Sequence, residues 1–461
     1  MARLSLAAIA GAAGGELIPG GRAPAAGGDV SIEGYSIDSR TLQPGDLFFA
    51  IVGPRHDGHD FVPQAFARGA AAAVVARGGA GVWTEAPALV RVRDTTAALQ
   101  ALGAHVRRSR PLRVVGITGS AGKTTAKELA AAVVATRHRT HRSEGNLNNA
   151  YGLPLALLRM SDDSQAAVLE MGMSTKGEIA RLTEIADPDV GVLLNVLRVH
   201  LESFGSLEKI AAAKGELFAG LRRDAVAVYN ADDRFAARLG RRFAGRSIPY
   251  GIAARRAEVR AEDIRLEGLA GARFVLRCGD GRAPVRLALP GRHNVYNALA
   301  AAAAGTALGI DAAGIARGLE SVRPAAMRGT LRRLSSGVEL YDDSYNSNPA
   351  AMEGALALLR EAAPRGRRIL VSGDMLELGP FETRAHAQLG RQVAAAGIDL
   401  FVSVGPRSKR AADAAEAAPF VASEARDGDL VLVKGSRGMT MERVARAILA
   451  AAGAAAAEGT H

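Results

Sequence analysis

GITGSAGKTTAKE, residues 116–128, lies between a hydrophobic run, LRVVGIT (112–118), and an apolar-periodic stretch, KTTAKELAAAVVA (123–135). That order reads as strand, glycine turn, helix. The general phosphate-binding pattern is G-x-x-x-x-G-K-[ST]. Counted back from Lys123, it asks for glycine at position 117, where the chain has Ile117, with Gly116 one residue early and Gly119 two residues late. The chemistry survives the offset. Gly119 and Gly122 allow backbone N–H groups to turn toward an anion. The helix start adds its partial positive charge. Lys123 has the reach for terminal phosphates, and Thr124 has the hydroxyl that ligates Mg²⁺.

Around this loop the chain repeats strand–loop–helix units. AAVLEMG (166–172), VGVLLNV (190–196) and AVAVYNADD (225–233) read as strands ending in polar residues. Such alternation predicts a parallel sheet with helices on both faces, whose ligands bind beyond the carboxyl ends of the strands. Before it, LFFAIV (47–52) reads as a buried strand, and RRSRP (107–111) as a linker. After it, SVRPAAMRG (321–329) is a second linker. VELYDDS, RRILVSGDM, DLFVSVG and DLVLVKGS then predict a smaller doubly wound unit. We expect an α/β fold in three domains, at 1–108, 109–324 and 325–461, which suits a length of 461 residues.

Composition narrows the function classes. The net charge of +11 raises nucleic acid as a partner, but the basic residues are scattered and aromatics are only 4% of the chain. No basic stripe or base-stacking platform is visible, so no nucleic acid is expected. No uncharged apolar run reaches membrane-spanning length. MARLSLAAIAGAAGG reads as a first helix closed by Gly14-Gly15 rather than as a secretion signal. The single cysteine, Cys278, excludes an internal disulfide and fits the cytosol. Of 58 basic residues, only Lys123, Lys127, Lys176, Lys209, Lys214, Lys409 and Lys434 are lysine. In a chain that uses arginine by default, a lysine marks a place where an amine is needed, which directs attention to Lys123 and Lys214.

The loop G-x-T-G-x-x-G-K-T-T resembles that of the Mur ligase family, which joins amino acids or peptides to UDP-linked muramic acid. SEGNLNNAYGLP, VLEMGMSTKGEI, NVLRVHLESFGSLEKIAAAKGELF, LPGRHNVYNALAA, MRG, DDSYNSNP and VKGSRGMTMERV follow in family order, so the resemblance covers nearly the whole chain. GSAGKTTAKE, GNLNN, GDMLELG and DDSYNSNP are most similar to the members that add D-alanyl-D-alanine to UDP-N-acetylmuramoyl-tripeptide. The Asp-Asn-Pro-Arg motif of the preceding ligase is missing.

The resemblance implies a three-domain Mur ligase architecture. It has a central P-loop ATPase domain with a parallel sheet, a C-terminal Rossmann-like domain, and ATP-dependent amide formation through an acyl phosphate in peptidoglycan synthesis. It implies that Gly119, Ser120, Gly122, Lys123, Thr124 and Thr125 cradle the phosphates. Thr124 and Glu170 would hold one Mg²⁺, and His200 and Lys214 would support a second, Lys214 as a carbamate. Lys123, Glu170, His200 and Lys214 would form the catalytic set. Asn294 and Asn297 would meet the nucleotide, with Arg328 and Asp343 reaching ATP from the junction with the last domain. Ser39 and Arg40 would bind the uridine diphosphate, while Asn148 and Asn149 would approach the muramyl or peptide part. Tyr345, Asn346, Asn348 and the GDMLELG loop would meet the dipeptide. A cytoplasmic monomer is expected. Two departures bear on loop geometry: Leu197-Arg198, where relatives have small residues or proline, and Met327, where glycine is common. Three alternatives remain. One is another Mur or folylpolyglutamate-type ligase, one a nucleic-acid-dependent P-loop ATPase, and one a binding protein without catalysis.

Overall fold

The computed structural model describes residues 4–19, 30, 32–76, 87–199, 201–407 and 411–452. Three separate sheets follow one another along the chain. The first has the order Glu16–Pro19, Ala88–Val92, Ala72–Ala76, Asp46–Phe49, Gly34–Ser36, with only the Glu16–Pro19 edge antiparallel. Leu6 and Ile9 of the helix Leu6–Ala13 are buried against it, and Gly14 closes that helix at φ 62°. The expected strand at 47–52 stops at Phe49. A tight turn, Ile51 N–H to Phe49 O at 2.9 Å, ends it and leaves Val52 exposed.

The helix Thr95–Arg108 joins the first sheet to the second. Asp94 caps it by accepting from Thr96 and Ala97 N–H. It takes in the first two residues, Arg107 and Arg108, of the stretch expected as linker. Arg107 is buried and donates to the carbonyls of Ala186 and Asp187, so its charge serves packing rather than solvation, and the connection shrinks to residues 109–112. Gly103 lets this helix approach closely, since a Cβ there would lie 2.7 Å from Pro154 Cβ.

The central sheet has nine strands. In order they are Gly281–Leu287, Ala272–Cys278, Val259–Leu266, Arg246–Gly251, Val226–Asn230, Val190–Leu193, Arg113–Thr118, Ala166–Glu170 and Thr140–Arg142. The pairs from Val259–Leu266 to Thr140–Arg142 are parallel, as expected. The sheet then continues through two antiparallel strands that we did not anticipate. Burial explains the difference. The strands around the loop are covered on both faces and read as continuous apolar runs. Ala272–Cys278 and Gly281–Leu287 alternate between buried and open positions, with one face in solvent. The alanine-rich helix Arg292–Ala307 buries Ala298 to Ala304 against the loop's own helix, Lys123–Ala135. Close packing continues at Gly318, whose Cβ would meet Val133 Cα at 2.5 Å.

The third sheet has the order Thr330–Arg333, Glu339–Asp343, Leu430–Lys434, Arg368–Gly373, Leu400–Val404, parallel except at its first pair. It lies against the central unit, where Gly379 packs on Glu202 and Leu269 packs into the third unit's core.

Candidate active site

The strand Arg113–Thr118 keeps its ladder through the position where the general pattern has glycine. Ile117 pairs with Val192 on one side and Glu170 on the other, and is buried. The turn is therefore confined to Gly119–Gly122, which accounts for the offset glycine. Gly122 caps the helix Lys123–Ala135 at φ 84°, ψ −4°. Gly119 has no positive φ; it is glycine because a Cβ would lie 2.8 Å from Leu194 Cβ. Only one of the two expected glycines thus turns the backbone, and the other makes room.

The loop's shape is held from below. Asn195 Oδ1 accepts from Ser120 N–H at 3.1 Å and Ala121 N–H at 3.0 Å, while its Nδ2 donates to Ala121 O at 3.1 Å. Ser120 Oγ accepts from Leu197 N–H at 2.8 Å. Those loop amides are committed to the fold. The helix's first turn, Lys123, Thr124 and Thr125, carries N–H groups with no intrahelical partner, and these face an anion at the positive end of the helix dipole.

Two lysine amines meet over this loop. Lys123 Nζ and Lys214 Nζ each donate to Gly119 O at 3.0 Å. Lys214, on the helix Leu207–Gly220, is buried rather than a surface lysine. Its burial, reinforced by the charge of Lys123, holds its pKa well below the ordinary value. Lys123 is lowered too, by burial, with Glu170 opposing the shift and Arg328 adding to it.

Glu170 ends its strand 3% exposed. Its Oε2 accepts from Thr124 Oγ1 at 2.7 Å, and its Oε1 accepts from Asn148 Nδ2 at 2.8 Å. A hydroxyl and a carboxylate oxygen this close form a hard, oxygen-only pair that fits Mg²⁺. Among the described residues no group of three or more His, Cys, Asp or Glu gathers to hold a metal alone. His200 lies outside the described residues.

Asn294 and Asn297 face each other, Nδ2 of Asn297 donating to Asn294 Oδ1 at 3.0 Å, and Asn294 Nδ2 donating to Pro290 O at 2.8 Å. Asn297 Oδ1 lies 2.4 Å from where a Cβ of Gly122 would sit. Gly122→Ala is therefore expected to lower stability by about 1–3 kcal/mol, from left-handed strain plus that clash, and to weaken ADP binding. Denaturant melts with and without ADP check both effects.

From the third sheet, the Arg328 guanidinium stacks 3.9 Å over the Tyr345 ring, and its charge is felt at Lys123. Met327 before it takes φ 62°, a conformation glycine adopts without strain. Asp343 accepts from the buried Lys434 at 2.5 Å, and Lys434 also donates to Asn346 O at 3.1 Å. Asp342 instead folds back on Ser344. Asn149 and Asn348 spend their side-chain oxygens capping helices, and Asn148 sits on Glu170. Ser39 and Arg40 stay in the first unit, on Gln64 and in a fork with Asp38. Between the central and third units opens a cavity of about 410 Å³, with Arg198, Arg234, Met352, Met375, Leu378 and Arg384 in its lining.

Asn195, Ser143, Lys127 and Lys434 were not singled out as site residues from the sequence. The two lysines carried the available signal, being rare amines in an arginine-rich chain. Asn195 opens the segment NVLRVH, where the histidine drew the attention and the asparagine did not.

Comparison with known proteins fits this geometry. Residues 117–305 match the Mur ligase middle domain, 327–437 the Mur ligase glutamate ligase domain, and 31–144 the Mur ligase family catalytic domain. The chain is 38% identical to the UDP-N-acetylmuramoyl-tripeptide–D-alanyl-D-alanine ligase of Escherichia coli K12, covering 92% of this chain and 95% of that one. It superposes on a crystal structure of MurF from Acinetobacter baumannii with a TM-score of 0.87 at 31% identity, over 98% and 99% of the two chains. For MurF from Thermotoga maritima in complex with ADP the TM-score is 0.79 at 29% identity, over 91% and 98%. With matched domains spanning most of its length and a relative this similar end to end, the chain belongs to the Mur ligase family.

Proposed function

We propose that this protein is an ATP-dependent carboxylate–amine ligase that joins D-alanyl-D-alanine to UDP-N-acetylmuramoyl-tripeptide in peptidoglycan precursor synthesis, releasing ADP and phosphate. The relatives' names support the substrates. The observation that carries the chemistry is the convergence of Lys123, Lys214 and the Thr124–Glu170 pair on one loop, faced by Arg328.

The problem for such a ligase is to bring anionic ATP against an anionic carboxylate. The first-turn N–H groups and Lys123 bind the β- and γ-phosphates, and the Arg328 guanidinium approaches from the third unit. A carboxylate oxygen of the tripeptide attacks the γ-phosphorus and ADP leaves, giving an acyl phosphate. The dipeptide amine then attacks the carbonyl carbon, loses a proton, and phosphate departs with the C–O bond electrons. Thr124 and Glu170 would hold Mg²⁺, which would neutralise phosphate charge. Lys214 is buried with its Nζ on Gly119 O, and burial favours the neutral amine that reacts with CO₂; a carbamate formed there would, with His200, supply ligands for a second ion.

We assign the first unit, 1–108, to the UDP-substrate, 109–324 to ATP and 325–461 to the dipeptide. The cavity beside Pro349, Met375 and Leu378 offers the dipeptide an apolar floor for its methyl groups and guanidinium groups for its carboxylate. Closure of the third unit over the loop keeps water from the acyl phosphate. Among the described residues no helix is long and apolar enough to cross a membrane. We place the reaction in the cytoplasm, where the relatives' nucleotide-linked precursor is made, and propose that the protein acts as a monomer.

Phosphate release with UDP-N-acetylmuramoyl-tripeptide is expected to depend on D-alanyl-D-alanine. Stimulation by free glutamate, lysine or diaminopimelate instead would reassign the acceptor. Stimulation by DNA or RNA would replace the reading altogether.

A further inference from the structure

Lys127 is among the most buried charged side chains in the chain, 1% exposed, and the ligase chemistry does not use it. It stands one helical turn beyond Lys123, yet its ammonium bonds to the neighbouring strand segment rather than to the Gly119–Gly122 loop. Its Nζ donates to Ser143 O at 2.5 Å and pairs with Glu128 Oε1 at 3.0 Å.

Ser143 follows the edge strand Thr140–Arg142 and continues along Ala166–Glu170, donating its N–H to Val168 O at 3.1 Å. Its Oγ accepts from the backbone N–H of Glu170 at 3.0 Å. Asn148, a few residues on, donates Nδ2 to Glu170 Oε1 at 2.8 Å, and its carbonyl accepts from Gly172 N–H at 2.7 Å. Segment 143–148 thus grips Glu170 at its main chain, at its carboxylate and just beyond it.

The two oxygens that suit the metal come from different elements, Thr124 from the helix and Glu170 from the strand. Lys127 ties the segment that grips the strand end to the helix that carries Thr124. We infer that Lys127 is a positioning residue for the metal pair: through Ser143 it sets the separation of the Thr124 hydroxyl and the Glu170 carboxylate. A compact ammonium fits this enclosed position where the broader planar guanidinium would not, which accounts for a lysine in a chain that otherwise uses arginine.

The inference rests on the metal role proposed above for Thr124 and Glu170. Its test reads metal binding rather than turnover, so failure of the ligase assignment leaves it intact. In the full chain with excess ADP, Mn²⁺ affinity is measured by electron paramagnetic resonance for wild type, Lys127→Met and Ser143→Ala. ADP affinity is measured separately in EDTA. Loss of a partner that orients a ligand typically costs 10–100-fold in metal affinity. We expect about 10-fold weaker Mn²⁺ binding in Lys127→Met and a smaller loss in the same direction in Ser143→Ala, with metal-free ADP binding within about twofold of wild type. Ser143→Ala removes one oxygen and carries the test if Lys127→Met does not fold. Unchanged Mn²⁺ affinity in the folded variants, or an equal loss for metal-free ADP, would overturn the inference and leave Lys127 as a structural tie.

Discussion

Lys123→Met is expected to lower kcat for ADP formation by at least about 10³-fold, roughly 4 kcal/mol of transition-state stabilisation, while UDP-N-acetylmuramoyl-tripeptide still binds within about twofold. The charge on Lys123 is stored on Gly119 O at the mouth of a helix N-terminus, beside Glu170 and Arg328. Methionine keeps most of the stem and removes only the ammonium, so a folding defect is not the expected cause of the loss. Lys214 offers no substitute. It shares the same carbonyl oxygen, but its burial favours the neutral amine. The split between the two readouts matters, because Ser39 and Arg40, expected to meet the uridine diphosphate, lie in the first unit, in the turn after Gly34–Ser36. Turnover of Lys123→Met at the wild-type rate would sink the assignment of this loop to ATP.

The parts of this molecule that the sequence made legible are those where local chemistry and global position coincide. Continuous apolar runs next to polar strand ends located the central parallel strands, and GKTT located the phosphate-facing helix start. What escaped was tertiary in origin. The offset glycine became intelligible only once Ile117 was seen paired on both sides, which shortens the loop. Gly119 and Gly122 look alike in sequence, yet one is required by Leu194 and the other by its backbone angle. Arg107 sits in a charged stretch that looks like a linker, but its guanidinium finds carbonyls 79 and 80 residues away. The antiparallel strands after Val259 were hidden because period-two alternation interrupted by charge reads weakly against the apolar runs before it. Asn148, placed near the substrate by resemblance, also bonds to the Glu170 carboxylate, a contact that no sequence spacing announces.

Lys214→Met is expected to separate stability from activity. In wild type the folded protein holds this lysine's pKa well below 10.5, whereas the unfolded chain keeps the ordinary value. The unfolded state therefore binds more protons between those two values, and wild-type stability must rise with pH across that window. At pH 7 the folded state bears the cost of either deprotonating Lys214 or burying its charge next to Lys123; methionine has neither cost and fills a similar volume. In nucleotide-free, CO₂-free buffer the Tm of Lys214→Met should exceed that of wild type at pH 7. The gap should narrow as the pH approaches 10.5, where the wild-type lysine is neutral in both states. Ligase turnover, in contrast, should fall at least about 100-fold, because the loop loses a buried amine that can be charged or carbamylated on demand. A melt difference that does not change with pH would deny the depressed pKa. Full turnover in the stabilised variant would deny the catalytic role. The combination expected, a more stable and inactive protein, is the mark of a buried lysine kept for chemistry at the expense of the fold.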